Sequence, residues 1–557
     1  MSPPAIGGRQ QKDLGLRATL RADLTEALTV TASYQYADNR QIGASYQLVI
    51  DDDALRAAFP TEIFGDADFD RKTSQLTSQT DNGDTFHGNK SHIASLKAEV
   101  DLGGPTLVSQ TAYLRYKTHY VDDFDFSPTD NVNFLRDEKY RQFTQELRIQ
   151  SPSGDALSYM AGVYFLSSRW HSIEDQQWAS PGIPPEIDGV WQLFNGGYTN
   201  DFLQKSKTWS AFASGAYTLA PGLKLAGGIR WTRETKDIVS GRAPDAGDPL
   251  TLWNTIANPP FDPTSLSHKA SFLDGNISLQ YNLTDDIMAF VAYGHGSKSG
   301  GYVETNTIAV PPSMLVDGKV PAALVAAGSL IKDEYTQTVE AGFKTMLLDR
   351  RLRLNIAGFY THVKNFQDTV FTGGSLGFLT FNGPARTQGV EIETAFQATR
   401  ELNIDGGFTY ADAKGEIQPI DPATSAPAVD GDGNPVYAWY RRSQAPRIVF
   451  NIGAHYDREI SDRLAVELGA SVRHRSSMYN QRQELFPSKA LTTLDLSAGI
   501  KSVDDRWAVQ VSARNVTNSM AQDFASPSVD PVPQIYGAYL AGPNEARTIT
   551  LSVSTKF

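Results

Sequence analysis

Four consecutive residues, Trp439-Tyr440-Arg441-Arg442, set two broad aromatic faces beside two guanidinium groups. That combination suits a bulky anionic ligand, with rings as walls and an arginine that pairs oxygens through parallel N–H bonds. Other aromatics in polar stretches are Trp178, Trp191, Phe194, Tyr198, Phe202, Trp253, Tyr437 and Tyr536. As a set they mark where a ligand would first land. For any single one, packing among loops or at a membrane interface is the plainer role. The ligand-binding candidates are Trp191, Tyr198, Trp253, Trp439, Tyr440, Arg441 and Arg442.

Other chemistry is sparse. Asp430-Gly-Asp432-Gly-Asn434 begins like a calcium loop, but its sixth position is Pro435 and its twelfth is Arg441, so it reads as a polar turn. The histidines lack the i, i+4 pairing of a zinc site, and His87 and His92 are the closest pair. No metal site and no cofactor is expected. No hydrolase elbow, P-loop or paired-carboxylate arrangement stands out, so an enzyme is not expected.

The chain has 557 residues, a net charge of −13 and no cysteine. The charge argues against a nucleic-acid partner. The lack of cysteine removes disulfides, thiolate metal sites and cysteine nucleophiles. The most apolar stretch, 320–331, is too short for a membrane-spanning helix, and the N-terminus lacks the basic and apolar regions of a signal peptide.

What must position these residues is a strand pattern. At the C-terminus Ile549, Leu551, Val553, Thr555 and Phe557 share one face, opposite Thr548, Thr550, Ser552, Ser554 and Lys556. Likewise Ala94, Leu96, Ala98, Val100 and Leu102 oppose Ser95, Lys97, Glu99 and Asp101, and Trp507, Val509, Val511 and Ala513 oppose Gln510, Ser512 and Arg514. Each two-faced run lasts about ten residues, enough to cross a bilayer when tilted.

The whole chain gives about nineteen such strands, among them 14–22, 140–151, 203–219, 268–282, 506–519 and 545–557. Short turns fall at 23–26, 103–104, 152–155, 220–221, 283–285, 348–350, 399–400, 459–461 and 503–505. Long polar loops alternate with them, near 39–90, 122–139, 175–202, 240–267, 298–332, 369–383, 415–443, 477–489 and 520–544. Sorting of connection length by end is the mark of an all-β, transmembrane antiparallel barrel of the bacterial outer membrane, with the short turns periplasmic. A bacterial barrel normally has an even strand number, so nineteen points to a chain that begins inside the barrel, with 1–557 as one N-terminally truncated barrel domain.

Several motifs then resemble one family, the TonB-dependent receptors. Tyr293-Gly-His-Gly-Ser-Lys298-Ser-Gly300-Gly301 looks like its "Y..G.KSGG", and Glu334-Tyr-Thr-Gln-Thr-Val-Glu-Ala-Gly-Phe-Lys344 like its "E…YE.G.K" with Val339 in place of Tyr. Gly389-Val-Glu-Ile-Glu393 is similar to "GVE.E", Arg514-Asn515-Val-Thr-Asn518 to "NL.N", and the strand ending in Phe557 to the family's closing strand. The resemblance implies a 22-stranded barrel whose lumen holds an N-terminal plug carrying the TonB-engaging segment. Plug, TonB segment and about three strands have no counterpart here, which brings nineteen to the expected total.

By that resemblance the function is TonB-energised uptake of a scarce solute, a ferric siderophore by default. The rivals are a passive porin-like channel and an adhesin-type barrel that binds only through its loops. Implied partners are outer-membrane lipid, the external solute, TonB through the plug, and the barrel-assembly machinery through the terminal strand. Lys298, Gly300, Gly301, Gly389, Asn515 and Phe557 are expected to be structural.

Overall fold

The computed structural model describes residues 10–42, 47–50, 86–123, 132–152, 156–178, 196–248, 250–251, 254–255, 258–304, 312–371, 378–419, 428–481, 484–527 and 538–556. It is dominated by one 20-stranded sheet. Nineteen long strands form it: β1 Gln10–Asp23, β2 Leu28–Ile42, β3 Phe86–Asp101, β4 Thr106–Asp123, β5 Val132–Gln150, β6 Leu157–Trp178 and β7 Gly196–Ala220. Then come β8 Leu223–Pro244, β9 Phe261–Thr284, β10 Ile287–Lys298, β11 Glu334–Leu347, β12 Leu352–Phe371 and β13 Phe378–Gln397. The last six are β14 Leu402–Ile417, β15 Ile448–Ser461, β16 Leu464–Arg475, β17 Leu491–Ser502, β18 Trp507–Arg514 and β19 Thr548–Thr555. The twentieth member is the four-residue strand Ala438–Arg441, which pairs with the upper part of β14.

Each long strand runs antiparallel to the next in sequence, so the sheet is a simple meander. Among the described residues β1 is paired only to β2 and β19 only to β18. The two faces are those of a membrane wall. Leu273, Ile277 and Tyr281 of β9 point outward, with Leu273 61% exposed, a position that suits lipid and would be costly in water.

The short turns are built by local side chains. Thr25, Thr399 and Ser461 each accept the backbone N–H three residues on, from Leu28, Leu402 and Leu464. At 348–350 three successive residues take left-handed φ of 54°, 53° and 63°.

At the opposite end the strands run past the expected limits. The segment expected at 203–219 spans Gly196–Ala220, that at 268–282 spans Phe261–Thr284, and that at 140–151 spans Val132–Gln150. Above the bilayer the ladder continues, yet no apolar outer face is required, so alternation fades while pairing persists, as at Tyr198↔Pro244. The apolar stretch near 320–331 holds the helix α1, Ala322–Ser329. Conversely, the expected strand 506–519 ends at Arg514, because Asn515 turns into left-handed φ of 45°.

The buried clusters lie at the outer rim. Phe202, Ile238 and Leu266 pack with Trp170, Tyr302 and Ala326, and Phe261, Val320 and Val325 pack beside them.

Candidate functional site at the outer rim of the lumen

Parity along each strand decides what reaches the lumen. On β5 to β8 the exposed Phe143, Leu147, Val163, Trp209, Tyr217, Ile229 and Trp231 are odd-numbered and outward. The even-numbered Arg136, Glu174, Tyr198, Asn200 and Arg242 therefore face inward. They form one chain of contacts near the outer end of the wall. The Arg242 guanidinium lies 5.0 Å from the Tyr198 ring centroid and 5.5 Å from that of Phe261. Its Nε donates to Asn200 Oδ1 at 2.7 Å, and Asn200 Nδ2 donates to Glu174 Oε1 at 3.3 Å. Glu174 is in turn paired with Arg136.

The connection after β10 closes over this chain. Lys236 Nζ donates to the Gly300 carbonyl at 2.7 Å, and the Gly300 N–H donates to Asp333 Oδ1 at 2.7 Å. Tyr302 then joins the Phe202 cluster, and Glu304 reaches 3.9 Å from Arg136.

Burial sets the electrostatics. Desolvation pushes the Glu304 carboxyl up to about 7, opposed by the Arg136 charge. Burial lowers the Arg242 pKa, with Tyr198 and Glu174 opposing, and burial raises that of the Tyr198 hydroxyl. For Arg136, burial works against the charge, but Glu174 and Glu304 outweigh it and its pKa rises.

The second aromatic–arginine group lies across the wall. Register places Trp439 opposite Glu416 and Arg441 opposite Lys414, on the same face as the exposed Phe408 and Tyr410. Tyr440 and Arg442 consequently face the lumen. Arg442 donates to both Asp368 oxygens at 2.6 and 2.9 Å and stands 4.3 Å over the Phe366 ring. Outside, Trp439 stacks with Arg386 at 4.6 Å, and Arg441 lies 5.1 Å over Tyr479.

The four adjacent candidates are therefore divided between two faces by strand alternation. Tyr198, expected in a loop, is in β7 and buried, because that strand extends above the bilayer. Trp191, Phe194, Trp253, Tyr536 and Phe557 lie outside the described residues, as does the side chain of Trp178. Sequence reasoning passed over Arg136, Glu174 and Arg242, whose only signal was charge at inward parity, and Glu304, which lies in a connection and carried no signal.

The motif residues are packing devices. Lys298 ends β10 opposite Glu334. A Cβ on Gly300 would meet the Ile331 carbonyl oxygen and lie 2.8 Å from the Lys332 carbonyl carbon, and Gly301 has φ of 152°. Asn515 is buried. Its Nδ2 donates to the Ser519 and Glu545 carbonyls at 3.0 and 2.9 Å, and its Oδ1 accepts the Ser519 N–H at 2.9 Å. The acidic run at 430–434 is an Asx turn: Asp430 Oδ1 accepts the N–H groups of Asp432 and Asn434, each at 2.9 Å. His92 Nδ1 hydrogen-bonds to Tyr34, and His87 stacks on Tyr120. Among the described residues no group of three or more His, Asp or Glu gathers to hold a metal ion.

Comparison with known proteins agrees with this architecture. The metal-pseudopaline receptor CntO of Pseudomonas aeruginosa is 34% identical over 90 residues, 16% of this chain; the match spans only 12% of that receptor's length. The ferric yersiniabactin uptake receptor FyuA from Yersinia pestis superposes with a TM-score of 0.70 at 15% identity, over 99% of this chain and 71% of its own. The siderophore receptor PiuA from Acinetobacter baumannii gives 0.67 at 16%, over 99% and 75%. At such identities the superpositions show the fold alone. The family model for the TonB dependent receptor-like β-barrel matches residues 27–516, so the chain belongs to that family of the bacterial outer membrane.

Proposed function

We propose that this barrel serves TonB-energised uptake of a scarce solute, with a ferric siderophore as the substrate class. The observation that carries the reading is the barrel of this family, matched over residues 27–516, with Tyr440 and Arg442 on the lumen face of its rim. Aromatic faces with oriented guanidinium groups suit a large, oxygen-rich anionic chelate. The names of the similar receptors, which concern metal chelates, support the same class. The outer loops and rim capture the solute, and force transmitted from TonB through a plug opens the path. The step is binding and gating, without covalent chemistry. The terminal strand ending in Phe557 is assigned to recognition by the barrel-assembly machinery.

The test is growth of a strain deleted for the gene under iron limitation. A defect rescued by iron salts, and dependent on TonB in the complemented strain, supports ferric uptake. Normal growth on every ferric chelate supplied overturns the substrate class.

A further inference from the structure

The outward face of β3 to β7 carries a cationic patch in which, among the described residues, most of the cations make no ion pair. One row runs directly across the register: Arg115 opposite Arg141, Arg141 opposite Arg169, and Arg169 opposite Lys205. A second row, two residues higher, sets Lys90 opposite Lys117, Lys117 opposite Lys139, and Lys139 opposite His171. All share outward parity with the exposed Tyr113, Phe143 and Trp209. Like charges directly opposite on one sheet face repel. Among the described residues Arg115, Lys117, Lys139, Arg141, Arg169 and Lys205 make no ion pair, whereas Lys90 lies 3.9 Å from Asp38 and His171 lies 2.9 Å from Asp201. Across the barrel two cations share one acid, with Arg447 and Lys414 at 2.9 and 3.4 Å from Asp412.

A chain with net charge −13 thus gathers cations in one sector, where the acids among the described residues stand at the edges, Asp38 beside Lys90, Asp201 beside His171 and Asp237 opposite Lys205. The patch also has a defined height. Below it stand Tyr113, opposite Phe143, and, past Ser167 and Lys207, the pair Phe165–Trp209 with ring centroids 4.4 Å apart, an aromatic girdle at the membrane interface. Above it acids return, with Asp137 3.0 Å from His119. The cations border a cleft of about 330 Å³ lined by Arg115, Lys117, Lys139, Arg141, Arg169 and His171. Three strand spacings separate Arg115 from Lys205, roughly 14 Å, room for more than one anionic group.

We propose that this patch is a binding site for an outer-leaflet lipid whose headgroup bears phosphate groups. Its acyl chains lie against the aromatic and aliphatic band, and the guanidinium and ammonium groups hold its phosphates. The site rests on the outer-membrane placement of the family and is independent of the solute carried.

The test uses the purified full chain in neutral detergent and native mass spectrometry. The probes are bis-phosphorylated lipid A, the same lipid with both phosphates removed, and inorganic phosphate as competitor. Retention of the phosphorylated lipid at least tenfold above the dephosphorylated form, undiminished by equimolar inorganic phosphate, is expected. The variant K117Q/K139Q/R141Q/R169Q should lose that preference while keeping its β circular dichroism. Equal retention of both lipids by the unaltered chain overturns the proposal without recourse to any variant. Displacement by inorganic phosphate at equal concentration overturns the lipid as the occupant, and undiminished preference in the folded variant overturns the site.

Discussion

Glu304 Oε2 lies 3.9 Å from Arg136 Nη2, although 168 residues of chain separate them. The contact fastens the connection after β10 to the inner wall, beside Ser172, Glu174 and Glu138. Because burial lifts the Glu304 carboxyl from 4.5 to about 7, the docked segment keeps a proton that a released segment gives up. Docking is therefore favoured as pH falls through that window and weakened as pH rises through it. Between pH 7.5 and 5 the local opening equilibrium at the Val303 and Val320 amides should fall, up to on the order of a hundredfold at a tenfold change per unit. Hydrogen exchange corrected for intrinsic rate reads this directly. In Glu304→Gln the segment stays docked and the pH dependence disappears; retention of the dependence would place the titrating group elsewhere.

The doubly bonded Arg442–Asp368 pair is only partly exposed, at 19% and 12% of each side chain. Removing one partner leaves the other charge desolvated without its bonds. Arg442→Ala should lower stability by about 1–3 kcal/mol. Adding Asp368→Ala should restore part of that loss. A double-mutant cycle in urea that returned no coupling would show the pair to be energetically idle.

Asn515 combines left-handed φ of 45° with three side-chain bonds to backbone groups. Asn515→Ala loses the bonds and takes on backbone strain, while Asn515→Gly loses the bonds alone. The alanine variant should be the less stable by about 1 kcal/mol, measured as the difference in urea midpoint. Equal destabilisation would mean that the hydrogen bonds alone fix this turn.

The strand meander was legible because lipid imposes an unbroken apolar face on residues such as Leu273 and Ile277, and that demand writes period two into the sequence. Where the wall rises above the bilayer the demand ends. Tyr198 and Asn200 therefore read as loop although they lie in a continuous ladder. The aromatic–arginine group was found as a composition, but its division between lumen and exterior depends on the short strand at 438–441, which no periodicity marks. The pairing of Glu304 with Arg136 depends on how a long connection folds inward. Such a contact leaves no local pattern.

Gly389 and Gly358 test how closely the strands are packed, and each serves as the control for the other. Neither has positive φ, so alanine meets no backbone penalty at either place. A Cβ on Gly389 would run into the Tyr410 carbonyl oxygen and lie 2.9 Å from the Phe359 ring, whereas one on Gly358 would find its nearest neighbour at 3.9 Å. Carbonyl oxygens within the ladder cannot step aside without breaking strand pairs, so Gly389→Ala should cost roughly 1–3 kcal/mol. Gly358→Ala meets only ordinary contact and reduces the freedom of the unfolded chain, so it should be neutral or stabilising by up to about 1 kcal/mol. Refolding yield into detergent micelles, followed by gel mobility of unheated samples, should therefore fall for the first and hold for the second. Equal yields would show that the β13–β14 spacing relaxes freely, and the glycine of the GVE motif would then need another explanation.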